Sequence, residues 1–165
     1  MPMVLSSELL ELAAQAATAL TARMEMVAVV ESAAGGLVSA ALLSVAGASG
    51  FYAGGVVMYT ASTRRLLVGI LPVPEGVRGA TEEFAVWEAD VAIAAMAAQW
   101  GVGETGAAGP TGNRYGDPSG HAWAAVRGPD KVVCTHITTG STDRVANMET
   151  FAVRSLQLLN EALQP

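Results

Sequence analysis

Residues 26–30 read Met-Val-Ala-Val-Val and pass directly into Glu31-Ser32-Ala33-Ala34-Gly35-Gly36. A run of apolar, mostly β-branched residues without polar alternation describes a strand covered on both faces, so the fold must supply a layer on each side of it. The glycines that follow describe a tight turn into a helix. Strand, turn and helix in that order belong to an α/β architecture.

The rest of the chain extends this unit. Ser6 or Ser7 can cap a helix ending near Arg23, with Leu9, Leu10, Ala13, Ala14, Ala17 and Leu20 at helical spacing and Glu8 and Glu11 near its start. After Gly36 a helix is expected from Leu37 to about Val45, broken by Gly47 and Gly50 before a second strand over Gly55–Thr60. Pro72 and Pro74 mark a loop, and Thr81 with Glu82 and Glu83 opens a long helix reaching about Trp100. A short segment around Val102–Thr105 leads into the glycine-rich stretch Gly106–Gly112. Strands over His121–Val126 and Lys131–Ile137 form a hairpin through Arg127-Gly128-Pro129-Asp130, and a last helix spans about Asp143–Leu163. The expectation is a single domain over 1–165: a three-layer α/β/α sandwich on a mixed sheet.

Composition narrows the partners. The chain is 52% hydrophobic with only 5% aromatic residues, which suits small-residue helices laid closely on a sheet. A net charge of -6 with scattered cations repels phosphate backbones, so nucleic acid is not an expected partner. Cys134 is the only cysteine, which rules out an internal disulfide or a cysteine-based zinc cluster and fits a reducing, cytoplasmic setting. The first twenty residues lack a basic leader and read as a helix rather than a secretory signal. The uncharged stretch from Ser32 to Thr63 is interrupted by six glycines, so it reads as buried helix, turn and strand rather than a membrane span. Alanine-rich apolar helices in a small acidic chain point to a homodimer or higher homo-oligomer.

Ligands of open α/β sheets bind where strands end and helices begin, because free backbone N–H groups and the helix dipole meet there. Ser32 lies at such a place, as a nucleophile or as the cap of the following helix, and the spacing favours the cap. Gly106–Gly112 could set N–H donors around a phosphate or oxyanion, or simply turn the chain. Neither the P-loop pattern nor the dinucleotide fingerprint occurs.

The order ESAAGG after a strand, then GGVVMYTASTR, then TGAAGPTGN, then Asp143-Arg144 before the last helix, resembles the CinA C-terminal domain family, the nicotinamide-nucleotide amidohydrolases, over nearly the whole chain. The family's usual forms are E-S-x-T-G-G, Y-S-N-x-x-K, [ST]-G-I-A-G-P and G-D-R. The resemblance implies hydrolysis of the carboxamide of nicotinamide mononucleotide to nicotinate mononucleotide and ammonia, with no metal or cofactor, by a serine nucleophile and a lysine base. Glu31, Ser32, Gly35, Gly36, Tyr59, Thr105, Gly106, Ala108, Gly109, Pro110, Asp143 and Arg144 match. Ala34 replaces the threonine, Ala61 the asparagine and Arg64 the lysine. A guanidinium stays protonated and cannot act as a base, although it can hold a phosphate or carboxylate.

The expected catalytic set is therefore Ser32, Tyr59, Arg64 and Thr105. Gly35, Gly36, Gly106, Ala107, Ala108, Gly109, Asn113 and Arg144 are the expected contacts to a small amide or nucleotide. The sole lysine, Lys131, sits at the far end of the hairpin. His121 is an alternative base, weighed against the commoner reading of a structural histidine; His136 has the weaker claim. Cys134 reads as a small buried hydrophobe, and Glu82, Glu83, Glu88 and Asp90 as a solvated helix face. The rival functions are a catalytically silent ligand-binding or oligomerisation module, and an amidase for a different small amide that uses His121.

Overall fold

A computed structural model describes residues 5–165 of the chain. Helix α1 (Ser7–Arg23) leads to β1 (Val27–Glu31), α2 (Leu37–Leu43), a 3-10 turn (Ala48–Gly50), β2 (Tyr52–Val57) and α3 (Ala61–Val68). Helix α4 (Glu82–Met96), β3 (Trp100–Ala107), β4 (His121–Arg127), β5 (Val132–Thr138) and α5 (Arg144–Ala162) follow. The sheet has the order β2-β1-β3-β4-β5, with β1 parallel to β2 and β3 and the β3-β4 and β4-β5 pairs antiparallel. It is a mixed sheet between helical layers, as expected.

The alternation of strand side chains divides the core into two. Val27, Val29 and Val102 join the cluster built with α1, α2 and α5, whereas Ala28 and Val30 pack with Phe84, Trp87, Val91 and Ala92 of α4. Strand β1 is buried at all five positions, which is what its unbroken apolar run requires. Side-chain caps set the long helices: Ser6 accepts from the Leu9 amide, Thr81 from Phe84 and Asp143 from Ala146.

Three expectations are corrected. Strand β2 starts at Tyr52 rather than Gly55 and ends at Val57, and the eight-residue helix α3 follows where no element was assigned. Only Leu67 of α3 is buried, and eight residues are too few for a helical repeat to stand out in the sequence. Helix α4 stops at Met96 with Ala97 in the left-handed region, and Trp100–Ala107 is the central strand rather than a lead into a loop. Its glycines mimic a turn, but they serve close packing: a methyl group at Gly101 or Gly103 would collide with the Ala89 and Ala85 carbonyl oxygens of α4. Among the described residues no helix is long and apolar enough to cross a membrane.

Candidate active site

The turn after β1 is organised by two carboxylates, and Ser32 is not its cap. Glu31 is fully buried. Its Oε1 accepts from the Gly36 and Val38 amides at 2.8 and 3.2 Å, and its Oε2 from the amide and hydroxyl of Ser39 at 2.9 and 2.8 Å. Burial raises its pKa, and these donors pull the other way. The positive end of α2 is thus filled by the chain's own acid, and the Gly36 amide is unavailable to a ligand. Gly35 and Gly36 both have positive φ, 67° and 95°, so the turn needs them for its shape.

Glu104, on β3, lies under the same turn. Its Oε2 accepts from the Ala34 amide at 2.8 Å and the Ser32 amide at 3.1 Å, while Oε1 finds no partner among the described residues. Burial pushes its pKa up to about 8, opposed by the Ala34, Ser32 and Ala33 amides and reinforced by Glu31. Glu88 is fully buried, not on a solvated face, and neither of its carboxyl oxygens has a partner among the described residues. Burial first, then the charges of Glu104 and Glu31, hold it well above the ordinary carboxylate range. Glu82 and Glu83 are exposed as expected, and Asp90 pairs with Arg127 at 2.7 Å. Nothing local in the sequence marked Glu104, a lone acid between glycine-rich neighbours. Its role depends on β1 and β3 being adjacent.

With the amide of Ser32 tied down, its hydroxyl donates to the Glu104 carbonyl oxygen at 3.2 Å and borders a cavity of about 350 Å³. Four segments wall the cavity: Met58–Ala61 with Arg64, Gly79–Ala80 with Phe84, Thr105–Gly106, and Asn113–Tyr115. The Thr105 hydroxyl accepts from the Ala80 amide at 3.0 Å, so its own proton remains free to donate. Glu31–Glu104 is the last β1-β3 pair, and the Glu104 carbonyl accepts from the Ser32 amide. By the alternation of the ladder, the Gly106 amide points to the β1 side just beyond the end of β1. The charged side chains on the lining are Arg64 and Arg114; among the described residues no carboxylate lines it.

Ser32, Tyr59, Arg64, Thr105, Gly106 and Asn113 therefore share one cavity, and Gly35, Gly36, Ala107, Ala108, Gly109 and Arg144 lie outside its lining. Arg144 donates to the Gly109 carbonyl and to the Tyr59 hydroxyl, the latter at 3.0 Å, so it braces the wall from behind. The Ala108 carbonyl accepts from buried Asn147 at 2.8 Å. Asn113 bonds its own loop: Oδ1 accepts from the Tyr115 and Asp117 amides, and Nδ2 donates to Asp117. Asp117 in turn receives both terminal nitrogens of Arg78, at 2.7 and 3.2 Å, which holds its carboxyl below the usual range.

His121 stands behind Ala80 rather than on the lining. Its Nε2 is 2.8 Å from the Ala80 carbonyl, and its Nδ1 is 2.9 Å from Nε2 of His136. A carbonyl only accepts, so Nε2 carries a proton, and in the neutral ring Nδ1 is the acceptor toward His136. Lys131 donates to the Ala162 carbonyl at 3.1 Å, at the far end of the hairpin. Cys134 is half-buried, not fully buried, and burial pushes its thiol up to about 11.

The family described as the CinA C-terminal domain matches residues 9–163. A CinA-like protein of Anaeromyxobacter dehalogenans (strain 2CP-C) is 38% identical over 147 residues, 88% of this chain and 36% of that protein. One from Desulfosudis oleivorans is 31% identical over 161 residues, 97% of this chain and 39% of its own length. The chain thus spans well under half the length of these relatives. Among solved structures, the competence/damage inducible protein CihA from Agrobacterium tumefaciens superposes with a TM-score of 0.87 at 28% identity, covering 98% of this chain and 99% of that one. A CinA superfamily protein from Klebsiella pneumoniae gives 0.85 at 26%, covering 94% and 97%. With Ser32, Tyr59, Thr105 and Gly106 on one cavity and the match running from α1 through α5, the chain belongs to the CinA C-terminal domain family.

Proposed function

We propose that the chain is a serine-dependent amidohydrolase acting on the carboxamide of nicotinamide mononucleotide or a close analogue. The observation that carries this reading is the Ser32 hydroxyl at the cavity, beside the free Thr105 proton and the Gly106 amide. In the reaction proposed, Ser32 Oγ bonds to the carboxamide carbon, and the oxyanion is met by Thr105 and Gly106. The C–N bond then breaks, and the serine proton leaves on nitrogen as ammonia. Water hydrolyses the acyl ester to the carboxylate and returns a proton to Ser32. Tyr59, braced by Arg144, positions the amide. Arg64 keeps its own proton throughout and faces negative charge.

Ammonia release from nicotinamide mononucleotide tests this. Release is expected from the wild type and lost in Ser32→Ala. If the wild type and Arg64→Lys are both silent with the fold intact, the substrate assignment fails. One observation favours the second reading, a binding module without turnover: the position of the family's lysine holds a group that cannot take a proton. Saturable nucleotide binding without ammonia release would select it. We also expect a cytoplasmic homodimer, since Leu66 and Ile70 expose apolar surface around α3 that a second copy would cover.

A further inference from the structure

We propose that His121, although it does not line the cavity, is a positioning residue for the oxyanion donor Thr105 and acts through the backbone of Ala80; this rests on the hydrolase reading above. Thr105 pairs with Trp123 and Ala107 with His121 across β3 and β4, so Thr105 and His121 leave the sheet on the same face. Over that face lies buried Ala80 with φ at 58°, a left-handed conformation that an alanine rarely adopts without support. Support comes from both of its polar groups. The Ala80 amide donates to the Thr105 hydroxyl at 3.0 Å, and the Ala80 carbonyl accepts from His121 Nε2 at 2.8 Å. Without His121 that carbonyl loses its donor, and the strained residue is held from one end only. The Ala80 amide then no longer occupies a lone pair of Thr105, and the hydroxyl can turn its proton away from the cavity.

The surroundings of His121 fix the proton where Ala80 needs it. Nδ1 lies 2.9 Å from His136 Nε2, and an N–H donated by His136 leaves the His121 proton on Nε2. With that proton on Nδ1 instead, lone pairs of nitrogen and oxygen would face each other at 2.8 Å. His136 is itself oriented: its ring stacks on Trp123, its cross-strand partner, with centroids 4.8 Å apart and planes at 28°. The Asp117 carboxylate is 3.8 Å from Nε2, beyond hydrogen-bond distance, and is taken by Arg78 and Asn113. Arg78 also donates to the Gly79 carbonyl, and the Thr81 hydroxyl donates to the Arg78 carbonyl. The residues on either side of Ala80 are therefore pinned independently, and His121 supplies the hold on Ala80 itself.

Amide hydrogen exchange read by NMR, together with the kinetics of ammonia release from nicotinamide mononucleotide, tests this. In His121→Ala the Ala80 amide should exchange about tenfold or more faster, while the β1 amides keep their wild-type rates. The kcat should fall about tenfold with KM within about twofold of wild type, because Thr105 serves the oxyanion rather than the bound amide. His121→Gln, whose side-chain amide offers an N–H at a reach similar to Nε2, should restore both quantities to within about threefold. Unchanged Ala80 exchange in His121→Ala, a glutamine variant as impaired as the alanine one, or a raised KM at constant kcat would overturn the inference. If His121→Ala does not fold, proton–nitrogen correlation spectra of the wild type decide: a His121 proton on Nε2 supports the inference, and one on Nδ1 overturns it. A wild type that releases no ammonia removes the hydrolase reading, and the Ala80 exchange rates still decide whether His121 holds the Ala80 amide on Thr105.

Discussion

The two sides of the Ser32 turn are electrostatic opposites. Beneath it lie Glu31 and Glu104, both fully buried. Above it the cavity wall carries Arg64 and Arg114, and among the described residues no acid. The difference separates two kinds of polar group. Glu31 and Glu104 hold backbone donors and give the turn its shape, whereas the arginines are left open to whatever enters. A buried acid with four donors is structure; a cation at a cavity without a partner is recognition.

The largest effect should come from removing the best-satisfied acid. Glu31→Ala orphans three buried or half-buried amides at the start of α2 and should destabilise the protein by about 3 kcal/mol or more in urea unfolding. A loss under 1 kcal/mol would break the structural half of the contrast. The next effect is on pH dependence. Because Glu104 titrates at about 8 in the fold against an ordinary 4.5, the folded state binds more protons than the unfolded state between those values. Stability is therefore greatest at the acid end of this window and falls as pH rises toward 8. Glu104→Gln, which keeps an acceptor for the Ser32 and Ala34 amides, should flatten that slope in melts from pH 5 to 8. An unchanged slope would show that Glu104 is not the titrating group. Glu88→Met removes an acid with no partner and should be neutral or stabilising by about 1 kcal/mol at pH 8. The smallest effect belongs to the cavity rim: Arg78→Ala frees the Asn113–Asp117 loop and should lower affinity for a phosphorylated ligand a few-fold without moving the melting temperature by more than a degree or two.

What the sequence made legible is local. The double-sided burial of β1, the helix caps, the hairpin and the Ser32 turn each depend on neighbouring residues, and each stood at its expected place within a few positions. What it hid is non-local or locally misleading. Gly101 and Gly103 read as turn residues because their reason, contact with α4, comes from another element. Glu88 reads as solvent-facing because α4 is apolar around most of its circumference and gives no clear polar face. Glu104 and the Arg78–Asp117 latch join residues far apart in the chain. Asn113 lies on the cavity lining while organising its own loop, and Arg144 bonds Tyr59 from outside the lining.

Trapping the covalent intermediate tests most directly whether Ser32, held over buried acids and facing arginines, is a nucleophile. The protein is quenched in acid during incubation with nicotinamide mononucleotide and mapped by peptide mass spectrometry. The expected result is an acyl adduct confined to the peptide containing Ser32 and absent in Ser32→Ala. Ammonia release by Ser32→Ala at the wild-type rate, or an adduct on any other residue, would contradict it.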